Sequence, residues 1–382
     1  MRPGRSSRPN HSLLLFLFLG AACRPSGQGA TAPTTRTHYV AADEVAWDYA
    51  PSGGNRITGK PFEGIAMFEA TSGRHRIGRI YRKAIYREYT DSTFTTLKPR
   101  PSEWEHLGIL GPLLRATVGD TLRIVFRNNA SHPFSMHPHG VFYLKGSEGA
   151  PYADGTDAAA QLDDGVPPGG THVYVWPVPE RAGPAPGEGS SIMWMYHSHV
   201  EEGKDVNAGL IGPMIVTARG AARPDGSPKD VDRELVTLFA EMDENVSWYF
   251  DENLRAYAED PGGAPKNASF ADPFYLIHLK ESINGFIYGH TPGLTMQEGE
   301  RVRWYVFSST NFEMHAPHWH GQTVVSQHMR TDVLSLVTMG MVVADMVPDN
   351  PGVWLFHCHV APHLDAGMQA LFEVLPRAVA TR

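Results

Sequence analysis

The sequence predicts an all-β protein built as two β-sandwich domains of one construction, and three observations carry that expectation. Short runs of alternating apolar and polar residues recur between Gly, Pro, Asn and Asp turns, the period of strands and not of helices. The 382 residues include 38 glycines and 30 prolines, which suits a loop-rich sheet protein. The chain also repeats itself. "VGDTLRIVFRNNASHPFSMHPHG" has a counterpart in "EGERVRWYVFSSTNFEMHAPHWHG", and "IMWMYHSHVEEGKDVNAGL" in "GVWLFHCHVAPHLDAGMQAL".

In chain order, residues 1–37 read as an export signal and a polar leader. Arg2, Arg5 and Arg8 precede an apolar stretch, Leu13–Ala22, too short to span a bilayer. Gly20 and Ala22 before Cys23 fit signal cleavage, and the same "LGAAC" fits lipidation of Cys23. The expectation is an exported protein that is periplasmic, extracellular or tethered by lipid, with no membrane-spanning segment. Residues 38–218 form the first expected sandwich. Within it "DTLRIVFRN" sets Leu122, Ile124 and Phe126 on one face and Arg123, Val125 and Arg127 on the other. "RHRIGRIYRKAIYRE" reads as a strand with a solvated basic face. Residues 219–232, "RGAARPDGSPKDVD", read as a linker, and residues 233–378 as the second sandwich. There Val302, Trp304 and Val306 alternate with Arg301, Arg303 and Tyr305. These alternations suggest antiparallel strands. With Cys23 set aside only Cys358 remains, so no disulfide is expected. A formal net charge of -8 argues against nucleic acid as a partner.

The histidines carry the chemistry. Ten of the nineteen fall in four clusters. These are His137 and His139; His197 and His199; His315, His318 and His320; and His357, His359 and His363, around Cys358. In a strand, residues two apart share a face, so His357 and His359 can serve one centre while Cys358 serves another behind them. A thiolate, two imidazoles and an axial thioether describe an electron-transfer copper. Cys358, His363 and Met368 supply three of these, and His315 is the natural second imidazole. The remaining eight histidines form four H-X-H pairs without sulfur, suited to several coppers held close together with open positions for a small oxidant. Aligned without gaps, the first half has Ser198 for Cys358, Phe134 for His315, Gly203 for His363 and Ala208 for Met368. The histidine-only centre is common to both halves, and the sulfur site belongs to the second alone. The other nine histidines read as structural or surface residues, and Met339, Met341 and Met346 as strand packing.

These motifs, with "HYVAADEVAWDYAP", "EHLGILGPLLRATVGDT", "DENVSWYFDEN" and "SINGFIYGHTPGLTM", resemble the multicopper oxidases. The likeness is strongest to the ceruloplasmin and hephaestin branch and extends to two-domain laccases. It implies two cupredoxin-like Greek-key domains and four coppers per chain. By that resemblance type 1 copper takes His315, Cys358, His363 and Met368, and type 2 takes His137 and His318. The type 3 pair takes His139, His197, His199, His320, His357 and His359. Single electrons from a reducing substrate would pass through Cys358 to a trinuclear cluster that reduces O2 to water. Fe(II) or Cu(I) and phenols or aromatic amines are the two donor classes. Glu148 and Asp332 are candidate proton-relay acids, and Glu313 or Asp365 candidate acids beside type 1. The two-domain relatives imply a homotrimer with the cluster at a domain interface. A copper nitrite reductase and a non-catalytic copper-binding protein are the competing readings. The first keeps type 1 in its first domain, where Ser198 stands here, and the second characteristically loses ligands.

Overall fold

The computed structural model describes residues 33–377 apart from residue 312; the expected signal and the Cys23 lipidation site lie outside that range. Strand accounts for 37% and helix for 14%. The first half supplies β1 (Thr35–Asp48), β2 (Ile80–Tyr89), β3 (Leu114–Thr117), β4 (Thr121–Asn128), β5 (His137–Pro138), β6 (Thr171–Pro177), β7 (Ser191–His197) and β8 (Ile211–Thr217). They form two sheets, ordered β2-β1-β4-β6 and β3-β8-β7-β5. The second half supplies β9 (Arg233–Asp243), β10 (Leu279–Ile283), β11 (Thr295–Gln297), β12 (Val302–Ser308), β13 (Pro317–Trp319), β14 (Val324–Ser326), β15 (Met329–Thr331), β16 (Met341–Met346), β17 (Gly352–Cys358) and β18 (Gln369–Leu375). Its sheets repeat the first pattern. They run β10-β9-β12-β16 and β11-β18-β17-β13, with β14 and β15 added at the edge of the former.

The sheets are mixed, where alternation alone suggested antiparallel pairing. β1 lies parallel to β4 and β9 to β12, and β3 to β8 and β11 to β18. Greek-key connections bring strands distant in sequence side by side, and a period of two carries no strand direction. Leu122, Ile124 and Phe126 are fully buried, as their alternation requires, but β12 is buried on both faces. Its Arg303 is enclosed beside Asp345 and Asp230, and Tyr305 faces Ser191 and Glu234.

Each sandwich has its own core: Leu122, Phe126, Tyr174 and Trp176 lie in the first, and Trp304, Trp319, Phe356 and Phe372 in the second. A third apolar cluster holds the halves together, joining Tyr49, Ile109 and Met195 to Val236, Leu238 and Phe307. Beside it Lys83 is fully buried and ion-paired to Glu244, against the expectation of a solvated basic strand. Only a partner from the other half makes that burial possible.

Register fixes the histidines. β5 pairs with β7 so that His137 stands opposite His197, and β13 pairs with β17 so that His318 stands opposite His357. The glycine ending each H-X-H-G motif has positive φ and packs under a tryptophan. A Cβ on Gly140 would lie 2.1 Å from Trp194, and one on Gly321 2.7 Å from Trp354.

Candidate metal centres

The sulfur site lies in the second core, behind β17. His315, Cys358 and His363 are all buried, with ligand atoms within 4.8 Å of one another. Cys358 Sγ is 3.5 Å from His363 Nδ1 and 3.9 Å from His315 Nδ1. Nitrogen and sulfur ligands bound about 2.0–2.3 Å from a first-row metal ion lie ~3.5–4 Å from each other, so the donors present fit a copper in type and spacing. Met368 is fully buried in the same core. Its backbone N–H donates to His363 O (2.9 Å) and its carbonyl accepts from Cys358 N–H (3.1 Å). Ala316 N–H donates to Cys358 Sγ at 3.3 Å. Burial raises the thiol pKa, and N–H donors from Ala316 and Val360 oppose that rise, the arrangement of a sulfur that becomes a thiolate once a metal is bound.

The eight remaining histidines fall into two quartets. In the first, His137, His139, His197 and His199 pack with ring centroids 5.1–5.6 Å apart, and His139 Nε2 is 3.1 Å from His197 Nε2. In the second, His318, His320, His357 and His359 pack at 4.7–5.5 Å. There His357 Nε2 lies 3.1 Å from His318 Nδ1 and 3.0 Å from His320 Nε2. Carbonyls fix three of the tautomers. His137 Nδ1 donates to Glu148 O (2.7 Å), His197 Nδ1 to Ser198 O (3.1 Å) and His357 Nδ1 to Cys358 O (2.8 Å). Each Nε2 lone pair is thereby left for a metal. Burial, helped by neighbouring imidazoles, lowers His139 and His357 to about 4 and His197 to about 3. These rings are neutral, as ligands must be. Among the described residues no hydrogen bond or ring contact joins one quartet to the other within the chain.

The outer acids take specific places. Asp332 lies 3.6 Å from His318 Nε2. The Glu148 side chain faces Lys145 and Tyr152, and its contact with the cluster is the carbonyl that orients His137. Glu313 is hydrogen-bonded to His363 Nε2, while Asp365 is exposed. Two acids that sequence reading missed lie nearby. Glu241 on β9 pairs directly across from Glu281 on β10, and both are buried. Burial, with repulsion from Glu313 and Asp243 and against a hydrogen bond from Glu281, raises Glu241 to about 7. Burial and the Glu241 charge raise Glu281 well above its ordinary value. The signal was available in principle, because both acids interrupt apolar strand positions.

The ungapped alignment of the halves also needs correction. Ser198 N–H donates to Leu210 O and Leu210 N–H to Asp205 O, as Cys358 and Met368 do with Met368 and His363. Asp205, not Gly203, therefore stands where His363 stands, and Leu210, not Ala208, where Met368 stands. The helix after β7, Glu202–Ala208, is two residues longer than its counterpart, Ala361–Asp365, which offsets everything beyond it.

Multicopper oxidase family models match residues 107–221 and 265–378, together more than half of the chain. The chain is 41% identical over 371 residues to the human protein named ferroxidase HEPHL1, covering 96% of this chain and 31% of that protein. It is 40% identical to human hephaestin (95% and 31% covered) and 37% identical to human ceruloplasmin (95% and 33% covered). It thus spans about a third of the length of these relatives. Among solved structures, a multicopper oxidase superposes with a TM-score of 0.55 at 20% identity, covering 89% of each chain. A copper nitrite reductase from Nitrosomonas europaea superposes with a TM-score of 0.55 at 15% identity, covering 89% of this chain and 94% of that one. At those identities the superpositions establish the shared cupredoxin fold. A thiolate site behind an H-C-H strand, H-X-H pairs facing each other across paired strands in both halves, and the matching family models place this chain in the multicopper oxidase family.

Proposed function

We propose that the protein is an exported multicopper oxidase that takes single electrons from a reduced metal ion, Fe(II) or Cu(I), and uses them to reduce O2 to water. We further propose that it holds four coppers per chain, with the trinuclear cluster completed between neighbouring subunits of a homotrimer. When bound, copper supplies one-electron chemistry at the thiolate site and O2 reduction at the histidine cluster. The chain's residues supply the route, the charge and the protons. Glu313, with its side chain 39% exposed, reaches from solvent to His363 Nε2, and His363 Nδ1 faces Cys358 Sγ. Cys358 is bonded along the chain to His357 and His359, and its carbonyl also accepts from His357 Nδ1. That continuous path from a surface carboxylate to the second quartet is the observation that carries the reading. Glu313, the half-exposed acid at the solvent end of that path, favours a cationic donor over a neutral phenol. The relatives named ferroxidase point the same way. Asp332, beside His318, is placed to hand a proton toward the cluster.

The ring rests on the two quartets. Each is incomplete within the chain, and a head-to-tail contact that closes as a ring sets the first quartet of one subunit against the second of the next. Exposed Phe142 and Leu144 directly follow the His137 and His139 pair, as an apolar contact face would. Among the described residues no helix is long and apolar enough to cross a membrane.

O2 uptake by the copper-loaded protein, with Fe(II) and a phenol run in parallel, tests the donor class. Faster turnover with Fe(II) is expected. A faster phenol would replace the metal-ion reading with a laccase-type one.

A further inference from the structure

In the second half, the turn after the H-X-H strand carries His363 and Met368, which would ligate copper, and is bonded back to Cys358 through Met368. The first half makes the same turn with the same backbone bonds and without those ligands. Phe134 and Val166 exchange N–H···O bonds (3.2 and 2.9 Å) as His315 and Leu336 do (2.8 and 3.0 Å). Ser135 N–H donates to Ser198 Oγ at 3.0 Å where Ala316 N–H donates to Cys358 Sγ at 3.3 Å. The four type 1 positions are therefore filled by Phe134, Ser198, Asp205 and Leu210.

Asp205 is fully buried, and no cation is paired with it among the described residues. Its Oδ2 accepts from Ser198 Oγ (2.7 Å), Val200 N–H (3.1 Å) and Glu201 N–H (3.1 Å). Its Oδ1 accepts from Trp248 Nε1 at 2.8 Å. Trp248 belongs to the second half and is held between the His132 ring, stacked at 4.3 Å, and the Lys204 ammonium at 4.2 Å. A carboxylate that accepts four hydrogen bonds is well supported without a counter-ion. Those bonds enclose the residues on either side of His199, and Ser198 separates His197 from His199. The His199 N–H is itself held by Ser135 Oγ at 3.0 Å.

We propose that Asp205 is a positioning residue for the trinuclear centre: from the His363 position, its carboxylate ties the 198–201 turn to Trp248 and so sets His197 and His199 without a metal. In the second half, copper at the equivalent place would make the corresponding tie. The first-half ligands are then in place before any copper arrives, and their geometry is independent of type 1 occupancy. This inference rests on the trinuclear reading above.

The test compares wild type, Asp205→Ala and Asp205→Asn after copper loading, by copper content, thermal melting, the blue type 1 band and the near-ultraviolet type 3 band. Asp205→Ala is expected to keep the blue band and a cooperative melt while losing most of the type 3 band and part of the copper. Asp205→Asn, which retains an oxygen for Trp248 or Ser198, is expected to fall between it and wild type. A folded Asp205→Ala with wild-type type 3 absorption and copper content overturns the proposal, as does equal loss of both bands. If Asp205→Ala does not fold, Ser198→Ala decides. A weakened type 3 band supports the proposal and an unchanged one overturns it. A wild-type protein with no type 3 band would instead sink the trinuclear reading, and the proposal with it.

Discussion

At Cys358, burial and placement act together. The thiol sits on the core face of β17 while its neighbours, His357 and His359, belong to the opposite quartet, so one three-residue stretch touches both centres. Cys358→Ser is expected to abolish the blue band and remove one copper per chain, with the melting transition shifted little, because the hydroxyl fits where Ser198 already serves in the first half. Absorption and copper content on the same sample check this. Glu313 makes a second residue-level prediction. Glu313→Gln should lower kcat/KM for Fe(II) by about tenfold, ~1.4 kcal/mol in the barrier, while phenol turnover changes much less. Equal losses on both donors would mean that Glu313 merely supports His363. Most of these residues were legible in the sequence. Strand period alone separates Cys358 from its flanking histidines and keeps the two members of each H-X-H pair on one face. Lys83 was not legible, since its burial depends on a partner in the other half, and Glu241 showed only as an acid among apolar strand residues.

Among the elements, the β9–β10 pair carries the clearest electrostatic consequence. Glu241 and Glu281 stand directly opposite one another, where like charges destabilise a sheet. Burial raises Glu241 from an ordinary 4.5 to about 7. The folded state therefore holds its proton more tightly than the unfolded chain does. The stability that Glu241 contributes is complete below pH 4.5 and declines as pH rises through about 7, a loss on the order of 3 kcal/mol. Denaturant melts of metal-free protein between pH 5 and 8 should show that decline, and Glu241→Gln, which removes the titrating group, should flatten it. An unchanged slope would mean that the pair does not titrate in that range. The same scale explains the two-residue offset between the halves. Ala208-Gly209-Leu210 and Ala366-Gly367-Met368 are the true anchors, each with a positive-φ glycine ending its helix. Aligned on those glycines, the first half carries two extra residues in its helix.

Over the whole molecule, the halves are fastened by buried polar contacts as well as by apolar packing. Lys83 Nζ from β2 reaches Glu244 and the carbonyl of Asn207 (2.5 Å), and Tyr49 Oη donates to Glu244 at 2.5 Å. Burial lowers the Lys83 pKa and raises that of Glu244, so desolvation outweighs their attraction and the pair is costly to split. Lys83→Met should destabilise the protein by about 3–5 kcal/mol, and Lys83→Met with Glu244→Gln by much less. Chemical denaturation of both variants measures the difference. The repeat of two sandwiches was legible in sequence because each strand keeps its own pattern. The separation of the quartets was not, since no local signal says which histidines meet within a chain.

That separation makes the sharpest test a joint measurement of mass and copper. Light scattering, copper content and the absorption spectrum would be taken on one copper-loaded sample at rising dilution. The predicted result is a particle of three chains with about four coppers per chain, blue and type 3 bands together, and a type 3 band that fades as the particle dissociates. A monomer that keeps a full type 3 band, or a trimer holding a single copper per chain, would contradict a cluster shared between subunits.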